Sequence, residues 1–268
     1  MTPSSEIANR YDANAARYDD ATRYNRDAAR RLVASLPAGR YPRLLDVGCG
    51  TGFASEAMIE RFRPTSITGV DISREMLERM RSKLAGLPDI ALEFHVADVL
   101  SMPVPDGAFD CVLASMALHW FASRDLALAA MARAVATGGV LGVVAPGPGH
   151  DREYVEVLRT IVPPVPSPVI DIFATAQVFP DPVEDAIAAS GLEVLDVWVE
   201  SRHRRVPPDR YMERITTVGS HVWSTIMGPD ESAAMVDRIT AAVRHASGPR
   251  GFEYTFTKTY AVARRPTG

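Results

Sequence analysis

Three glycines at alternate positions, Gly48, Gly50 and Gly52, are the feature that most constrains the fold of this chain. They follow a short apolar run at residues 43–47 and precede residues 51–62, where apolar side chains recur at helical spacing. Glycine permits a tight turn and a close approach of backbone to ligand. The amino end of a helix adds N–H groups that have no helical partner. The pattern therefore predicts a strand, a ligand-binding turn and a helix in succession.

The glycine spacing excludes two common nucleotide-binding loops. A dinucleotide-binding fingerprint places its third glycine three positions after the second, and Phe53 occupies that position here. A phosphate-binding loop would continue into Gly-Lys-Ser/Thr, which is absent from this segment. Asp71 lies 19 residues beyond Gly52, at the end of the next predicted strand. An acidic side chain at that place can accept hydrogen bonds from both hydroxyls of a ribose.

Short apolar runs alternate with segments of helical periodicity up to residue 145. This alternation is typical of βαβ units, in which helices cover both faces of a parallel sheet. We expect strands at 43–47, 66–71, 90–96, 109–114 and 139–145. We expect helices at 7–17, 27–36, 51–62, 73–84 and 123–136.

Prolines and glycines interrupt the chain at residues 146–149 and 162–168. The second cluster fits neither a regular helix nor a central strand, and we interpret it as a stiff connector. Around it we expect a helix ending near residue 161 and further helices at 183–190, 209–218 and 230–245. The remaining strands are expected at 192–200 and 252–263.

Composition narrows the class of protein. The 268 residues are 47% hydrophobic and 23% charged, enough for a core that needs no disulfide or metal. A net charge of −4 argues against nucleic acid as the main partner. We find no secretory signal and no apolar window that would cross a bilayer. We expect a cytoplasmic protein without a nucleic-acid or membrane partner, and the oligomeric state stays open.

The cysteines and histidines indicate no metal site. The six histidines lack the spacing of metal ligands, so we predict no metal. Cys49 and Cys111 have apolar neighbours and are expected to be buried thiols rather than nucleophiles.

Together these segments resemble the class I S-adenosylmethionine (SAM)-dependent methyltransferases. Residues 44–52 are similar to the family's first motif, which holds the methionine part of SAM, and residues 70–73 to its second. Residues 97–99 resemble the third motif, 109–115 the fourth strand and 137–141 the turn into the fifth strand. Thr137 replaces the proline usual in that turn, which needs only its glycines.

The resemblance implies an α/β fold: a doubly wound, Rossmann-like sheet of seven strands, mostly parallel, with an antiparallel last strand and a helical cap. It implies a lid at residues 1–40, a SAM-binding core at 41–146 and an insert or cap at 147–190. Residues 191–268 would supply the last core strands and further cap helices. The leading segment, 15–19, is similar to trans-aconitate, malonyl carrier-protein and ubiquinone/menaquinone methyltransferases, in which it folds over SAM.

The resemblance also implies a set of residues that contact SAM or its product S-adenosylhomocysteine (SAH). Asp71 would hold the ribose, Ile72 would lie against the adenine, and Asp98 would lie near the adenine amino group. Asp46 would lie near the ammonium group. The full expected set is Tyr18, Asp46, Gly48, Cys49, Gly50, Gly52, Asp71, Ile72, Ala97, Asp98, Val99 and Ser115.

The sequence gives fewer indications of the residues that bind the methyl acceptor. His119 follows the predicted fourth strand, and it either acts as a general base or is a packing histidine. We expect substrate contacts from Tyr11, Trp120, His221 and Trp223, although helix packing explains the last two equally well. The basic run 202–205 has two interpretations. It is either a solvated turn or a binding surface for a carboxylate or an acidic carrier protein.

The leading functional hypothesis is a SAM-dependent methyltransferase that O-methylates a carboxylate or hydroxyl of a small molecule, free or bound to a carrier protein. A carboxylate acceptor needs no general base, whereas a hydroxyl or a carbon acid does. Two alternatives stay open: C-methylation of a quinone or polyketide-like ring, and a SAM-binding protein that does not methylate, such as a regulatory module or a cyclase. The acidic composition and the absence of an Asn-Pro-Pro-Tyr motif argue against nucleic-acid substrates.

Overall fold

The computed structural model describes residues 3–87, 89–161, 164–167, 170–171 and 176–267, with backbone alone for 3–7, 10, 218–227 and 229. The chain divides into two compact units. The first comprises Met1–Ala145, Val178–Val199 and Thr259–Gly268, and the second comprises Pro146–Gln177 and Glu200–Lys258. Part of the predicted insert, from Val178 onward, thus belongs to the first unit.

Seven strands form one sheet in the order β3-β2-β1-β4-β5-β7-β6. Their bounds are β1 Arg43–Val47, β2 Ser66–Asp71, β3 Ala91–Val96, β4 Phe109–Ser115, β5 Val135–Pro146, β6 Glu193–Val206 and β7 Phe252–Arg264. The β1–β2, β2–β3, β1–β4 and β4–β5 pairs are parallel. The predicted fold class, a mostly parallel seven-stranded α/β sheet, is confirmed.

The last strand runs antiparallel to β5. Gly138 N donates to the carbonyl of Arg265, the residue after β7 (3.0 Å), whereas Gly147 N, just past the end of β5, donates to Thr257 O (3.0 Å). As residue numbers rise along β5, those of the partners in β7 fall. This is the direction that the resemblance to the methyltransferases implies for the final strand.

The helices of the described residues lie close to their predicted places. Their bounds are α1 Pro3–Ala21, α2 Arg23–Ser35, α3 Phe53–Phe62, α4 Arg74–Leu84, α5 Arg124–Ala134, α6 Arg152–Arg159, α7 Pro180–Ala189, α8 Pro208–Met227 and α9 Pro229–Ala246. Short 3₁₀ turns occur at Val99–Ser101 and Leu118–Trp120. Ser73 caps the amino end of α4, since its hydroxyl accepts from Met76 N at 3.2 Å. In the part of the chain that the structure describes, no helix is long and apolar enough to cross a membrane.

The first unit has a core on each face of its sheet. Successive residues of a strand point to opposite faces, and those of β4 alternate accordingly: Val112 packs in one core, and Cys111 and Leu113 pack in the other. Helices α5 and α7 cover the first face, and α2, α3 and α4 cover the second. Cys49 and Cys111 are free, buried thiols, as predicted.

Two strands are longer than expected. β5 begins at Val135 rather than at residue 139, so α5 ends earlier, at Ala134. β6 continues to Val206, so the basic run 202–205, expected as a solvated turn, lies within a strand. Contacts with β7 support this extension: the Arg204 guanidinium lies 5.1 Å from the Phe256 ring centroid, and Arg205 pairs with Glu253. Such cross-strand pairs stabilise a sheet where alternation of hydrophobicity is weak.

The second unit buries a network of charged and polar side chains around Asp151, which precedes α6. The Asp151 carboxylate accepts from Arg214 Nη2 at 2.6 Å and from Tyr211 Oη at 3.0 Å. His150 Nε2 lies 3.3 Å from the same carboxylate, and His150 Nδ1 accepts from Thr257 N at 3.1 Å. Burial lowers the pKa of His150 to about 3, so this imidazole is neutral. The Asp151 carboxylate thus finds its partners within its own unit.

Candidate functional site

A cavity of the first unit opens at the carboxyl ends of β1, β2, β3 and β4. β1 pairs with β2 on one side and with β4 on the other, so the strand order reverses there. Parallel α/β sheets commonly bind ligands at such a reversal. The predicted cofactor contacts line the cavity with one exception, Gly52.

The three glycines of the loop have different tasks, although all adopt positive φ angles. A Cβ on Gly48 would lie 2.4 Å from the Ala117 Cβ, and one on Gly52 would lie 2.9 Å from Met80 Cγ. A Cβ on Gly50 would meet nothing within 4 Å. Gly48 and Gly52 thus permit close packing, and Gly50 leaves open space in the cavity wall.

Most amides of the loop that precedes α3 donate to oxygen atoms of the protein itself. Gly48 N and Cys49 N donate to Val70 O at 2.7 and 3.2 Å. Gly50 N donates to Asp71 Oδ2 at 2.8 Å, and Ser55 N donates to Asp46 Oδ2 at 3.2 Å. Because the loop amides already bind the protein's own oxygens, acceptor atoms dominate the polar character of the cavity.

Asp46 is the most buried of these acceptors, with 1% of its surface exposed. Its Oδ2 accepts from the Ser55 hydroxyl at 2.7 Å, while its Oδ1 has no hydrogen-bond partner among the described residues. The pKa of Asp46 is raised to about 7. Burial is the main cause and the charge of Asp71 adds to it, whereas the hydrogen bonds from Ser55 lower the pKa. A buried acceptor of this kind is costly unless a ligand supplies a donor.

Asp71 is the last residue of β2, and Asp98 lies just after β3. Asp71 Oδ1 accepts from Ser73 N at 2.9 Å, and Asp98 Oδ1 accepts from Leu100 N at 2.9 Å. Burial raises the pKa of Asp71, and its hydrogen bonds with the Ser73 and Gly50 amides oppose that rise. Three further predicted residues complete this wall: Ile72, Ala97 and Val99.

Helix α1 brings two tyrosines to the cavity. The Tyr18 ring stacks on Phe53 with centroids 6.4 Å apart, and Tyr11 makes edge contacts with Tyr18 and Trp120 at 6.0 and 6.2 Å. Burial raises the pKa of Tyr18 far above its usual value, so its hydroxyl stays protonated at neutral pH. Both tyrosines line the cavity, and the cofactor contact of Tyr18 and the substrate contact of Tyr11 stay predictions.

Two carboxylates fasten α1 to the core. Asp12 Oδ1 accepts from the Ser73 hydroxyl at 2.5 Å and from Glu75 N at 3.1 Å, at the amino end of α4. Asp19 accepts from the Thr51 hydroxyl at 2.6 Å and pairs with Lys83. Helix α1 is therefore held at both ends of its cavity-lining stretch.

Asn25, on α2, also lines the cavity, and sequence reasoning missed it. It is 6% exposed, its Nδ2 donates to Tyr18 Oη at 3.4 Å, and its Oδ1 has no hydrogen-bond partner within the described ranges. The available signal was its place on the buried face of α2, in helical register with Ala29 and Leu32. A polar side chain there needs an explanation.

The wall beside the end of β4 is apolar apart from Ser115. Met116, Trp120 and Phe121 line it, with two alanines between and after them. Met116 adopts a φ of 58°, and its N–H donates to Val144 O at 2.7 Å. A positive φ is uncommon for a residue with a side chain and is typical of functional turns.

Comparison with known proteins identifies the family to which the chain belongs. The family model described as "Methyltransferase domain" matches residues 45–143. The malonyl-[acyl-carrier protein] O-methyltransferase of Magnetococcus marinus is 30% identical over 240 residues, which cover 89% of this chain and 83% of the relative. The chain belongs to the SAM-dependent methyltransferase family.

The alignments with other relatives of this methyltransferase cover different fractions of the two chains. The malonyl-[acyl-carrier protein] O-methyltransferase of Geobacter sulfurreducens is 27% identical across 99% of the chain and all of the relative. The trans-aconitate 2-methyltransferase of Methylobacterium radiotolerans is 27% identical across 88% of the chain and 92% of the relative. Some matches are partial: the chain spans 38% of the bifunctional biotin biosynthesis protein of Bordetella avium, at 32% identity across 64% of the chain.

Solved structures share the fold of this methyltransferase at low sequence identity. A Haemonchus contortus phosphoethanolamine N-methyltransferase structure with S-adenosylhomocysteine matches with a TM-score of 0.61 and 16% identity, over 99% of this chain and 60% of that one. The [4+2]-cyclase SpnF matches with a TM-score of 0.55 and 22% identity, over 91% and 80%. These likenesses concern the fold.

The remaining predicted residues of the methyltransferase lie apart from the cavity wall or outside the described side chains. His119 does not line the cavity, and its ring lies beside Trp120, with centroids 4.8 Å apart. The side chains of His221 and Trp223 fall outside the described part of the structure. Throughout the residues that the structure describes, no group of three or more His, Cys, Asp or Glu side chains could hold a metal ion.

Proposed function

We propose that this methyltransferase esterifies a carboxylate of a small acceptor, free or attached to a carrier protein. One observation carries the proposal: within the described lining, the wall beside the end of β4 contains no side chain that removes a proton at neutral pH. An acceptor at this wall has to be a nucleophile already, and a carboxylate is one. Relatives named for malonyl-[acyl-carrier protein] and trans-aconitate, both carboxylates, support the same choice.

The cavity residues fit SAM as the methyl donor. Besides one carboxylate, SAM presents mainly donors and positive charge: an ammonium, a sulfonium, two ribose hydroxyls and an adenine amino group. The cavity offers Asp46, Asp71 and Asp98, and its described lining contains no lysine or arginine. We assign Asp46 to the methionine part, Asp71 to the ribose and Asp98 to the adenine. The other predicted cofactor contacts that line the cavity form the surface around these three.

The chain's own contribution is alignment and exclusion of water. When bound, SAM supplies a methyl group on a positively charged sulfur; a carboxylate oxygen can attack this methyl carbon without prior activation, and SAH leaves. Met116, Trp120 and Phe121 keep water from an acceptor beside β4, and a less hydrated carboxylate is a better nucleophile. Holding two reactants in line contributes about 7–11 kcal/mol to lowering a barrier. Tyr18 remains a protonated phenol and takes no proton.

The proposal is tested with matched acceptors. The purified protein is incubated with SAM and either carboxylates (malonyl thioester of an acyl carrier protein, trans-aconitate, short dicarboxylates) or alcohols of the same skeletons. We expect SAH only with carboxylates, and a product that releases methanol in mild alkali, as methyl esters do and methyl ethers do not. SAH formation with alcohols alone, or an alkali-stable product, would overturn the proposal.

His119→Ala distinguishes a carboxylate acceptor from one that needs a base. With the best carboxylate we expect turnover to change less than about twofold, because no proton has to be removed. His95→Ala, on β3 and outside the cavity lining, is the matched control. A loss of turnover of 100-fold or more, typical of a general base, with unchanged SAM affinity would favour hydroxyl methylation with His119 as the base.

A further inference from the structure

Two buried oxygen atoms without partners face the same cavity. They are Asp46 Oδ1 and Asn25 Oδ1, on side chains 1% and 6% exposed, and neither accepts a hydrogen bond from any described residue. Buried polar atoms are nearly always hydrogen-bonded in folded proteins. Two such acceptors in one cavity indicate a ligand group with several hydrogen-bond donors.

The first turn of α3 connects these two residues. Asp46 is held by the backbone and hydroxyl of Ser55, at 3.2 and 2.7 Å. Asn25 is hydrogen-bonded to Tyr18 at 3.4 Å, and the Tyr18 ring stacks on Phe53, the first residue of α3. Asn25 is thus linked through Tyr18 to the first turn of α3, the same turn whose Ser55 holds Asp46.

We propose that Asn25 Oδ1, together with Asp46, binds the ammonium group of the methionine part of SAM. An alkylammonium carries three N–H donors, and two unpartnered acceptors match two of them. The proposal rests on the proposed function, since it takes SAM as the ligand. It assigns to Asn25 a role in cofactor binding that no motif of the sequence indicates.

The chemistry favours the ammonium over the other donors of SAM. Asp71 and Asp98 stand after β2 and β3 and are assigned to the ribose hydroxyls and the adenine amino group. Asp46 carries the charge that a cation requires, and the neutral amide oxygen of Asn25 offers a second acceptor without further like-charge repulsion. A charged hydrogen bond of this kind is worth more than a neutral one.

The test measures binding rather than turnover, by calorimetric titration with two ligands. One ligand is SAH, and the other is 5′-methylthioadenosine, which keeps the adenosine and lacks the amino-acid portion. We expect Asn25→Ala to weaken SAH binding by about tenfold and to leave methylthioadenosine binding within twofold of wild type. Asn14→Ala, on α1 and outside the cavity lining, is the matched control and should alter neither affinity.

Asn25→Asp tests which atom of the amide faces the ligand. A carboxylate at this position keeps the acceptor oxygen and adds negative charge, so SAH binding should be retained within threefold or tightened. A loss of SAH binding as large as that of Asn25→Ala would show that a donor is required and would overturn the proposal. Thermal unfolding of each variant checks that it is folded.

The remaining outcomes are also decisive. If Asn25→Ala weakens SAH and methylthioadenosine by the same factor, Asn25 acts only through the packing of Tyr18, and the proposal is wrong. It is also wrong if SAH affinity does not change. If the folded wild-type protein binds neither SAM nor SAH, the proposed function fails, and this inference fails with it.

Discussion

Asp46 in the first unit and Asp151 in the second are both almost fully buried, with 1% and 4% of their surfaces exposed, yet their surroundings differ. Asp151 accepts from Arg214 and Tyr211 and lies beside His150. Asp46 receives hydrogen bonds from Ser55 on one oxygen only. Burial would raise the pKa of either group; that of Asp151 is nevertheless lowered, mainly by the Arg214 charge, and that of Asp46 is raised to about 7.

The difference indicates that Asp151 is a structural carboxylate and that Asp46 is a ligand-binding one. Asp151 is stabilised as an anion by partners within its own unit, so its removal should damage the fold. Asp46 is incompletely satisfied, so its removal should damage binding and spare the fold. The predictions below test this contrast, from the largest expected effect to the smallest.

Asp151→Asn should lower the free energy of unfolding by about 3–5 kcal/mol, because it leaves the buried Arg214 guanidinium without a counter-charge. Urea unfolding at pH 7 measures it. Asp106→Asn is the control, since Asp106 pairs with Arg133 at the surface, with both side chains more than half exposed. Surface pairs contribute at most about 1 kcal/mol, so equal losses for both variants would remove the contrast.

Asp46→Asn should weaken SAH binding by about 2–3 kcal/mol, roughly 30- to 150-fold, because a charged acceptor for the ammonium becomes neutral. Calorimetry measures it. The same variant should not lose unfolding free energy at pH 8, where the wild type has to bury an ionised carboxylate. A large loss of stability with unchanged SAH affinity would place Asp46 beside Asp151 as a structural group.

Asp71→Ala should weaken SAM binding by at least tenfold, about 1.4 kcal/mol. It removes the expected ribose acceptor and also the carboxylate that holds Gly50 N and Ser73 N. Glu78→Ala, on the exposed side of α4, should leave affinity unchanged. Unaltered SAM affinity in Asp71→Ala would remove this residue from the ribose site.

The affinity for SAH should depend on pH through Asp46. The pKa of about 7 means that the carboxyl has to release its proton to bind a cation, so affinity at pH 6 should be about tenfold lower than at pH 8. In the ligand-free protein the raised pKa has the opposite sign for folding: the folded state holds the proton more tightly than the unfolded state. Unfolding free energy should therefore fall as pH rises from about 4 to 7. Asp46→Asn should flatten both profiles, and a flat wild-type binding profile would contradict the assignment.

The strands around the site were predictable because glycine, proline and charged residues mark their ends: β1 and β2 have the predicted bounds. β5 and β6 were less predictable, since their added residues are held by neighbouring strands rather than by local pattern. The glycine loop and Asp71 could be located from spacing alone. Asn25 could not, because its significance lies in an unpartnered atom, which only the folded arrangement of α2 and α3 reveals.

The contact between Gly48 and Ala117 has a consequence for changing acceptor specificity. Because a Cβ at position 48 would lie 2.4 Å from the Ala117 Cβ, the glycine loop and the turn after β4 are closely packed and leave no room for a larger side chain. Larger side chains at Ala117, a tempting place to reshape the acceptor wall, would push the loop that adjoins Asp46. Acceptor choice should therefore be easier to alter at Phe121 or Ala122, while position 48, with its positive φ, stays glycine and position 117 stays small.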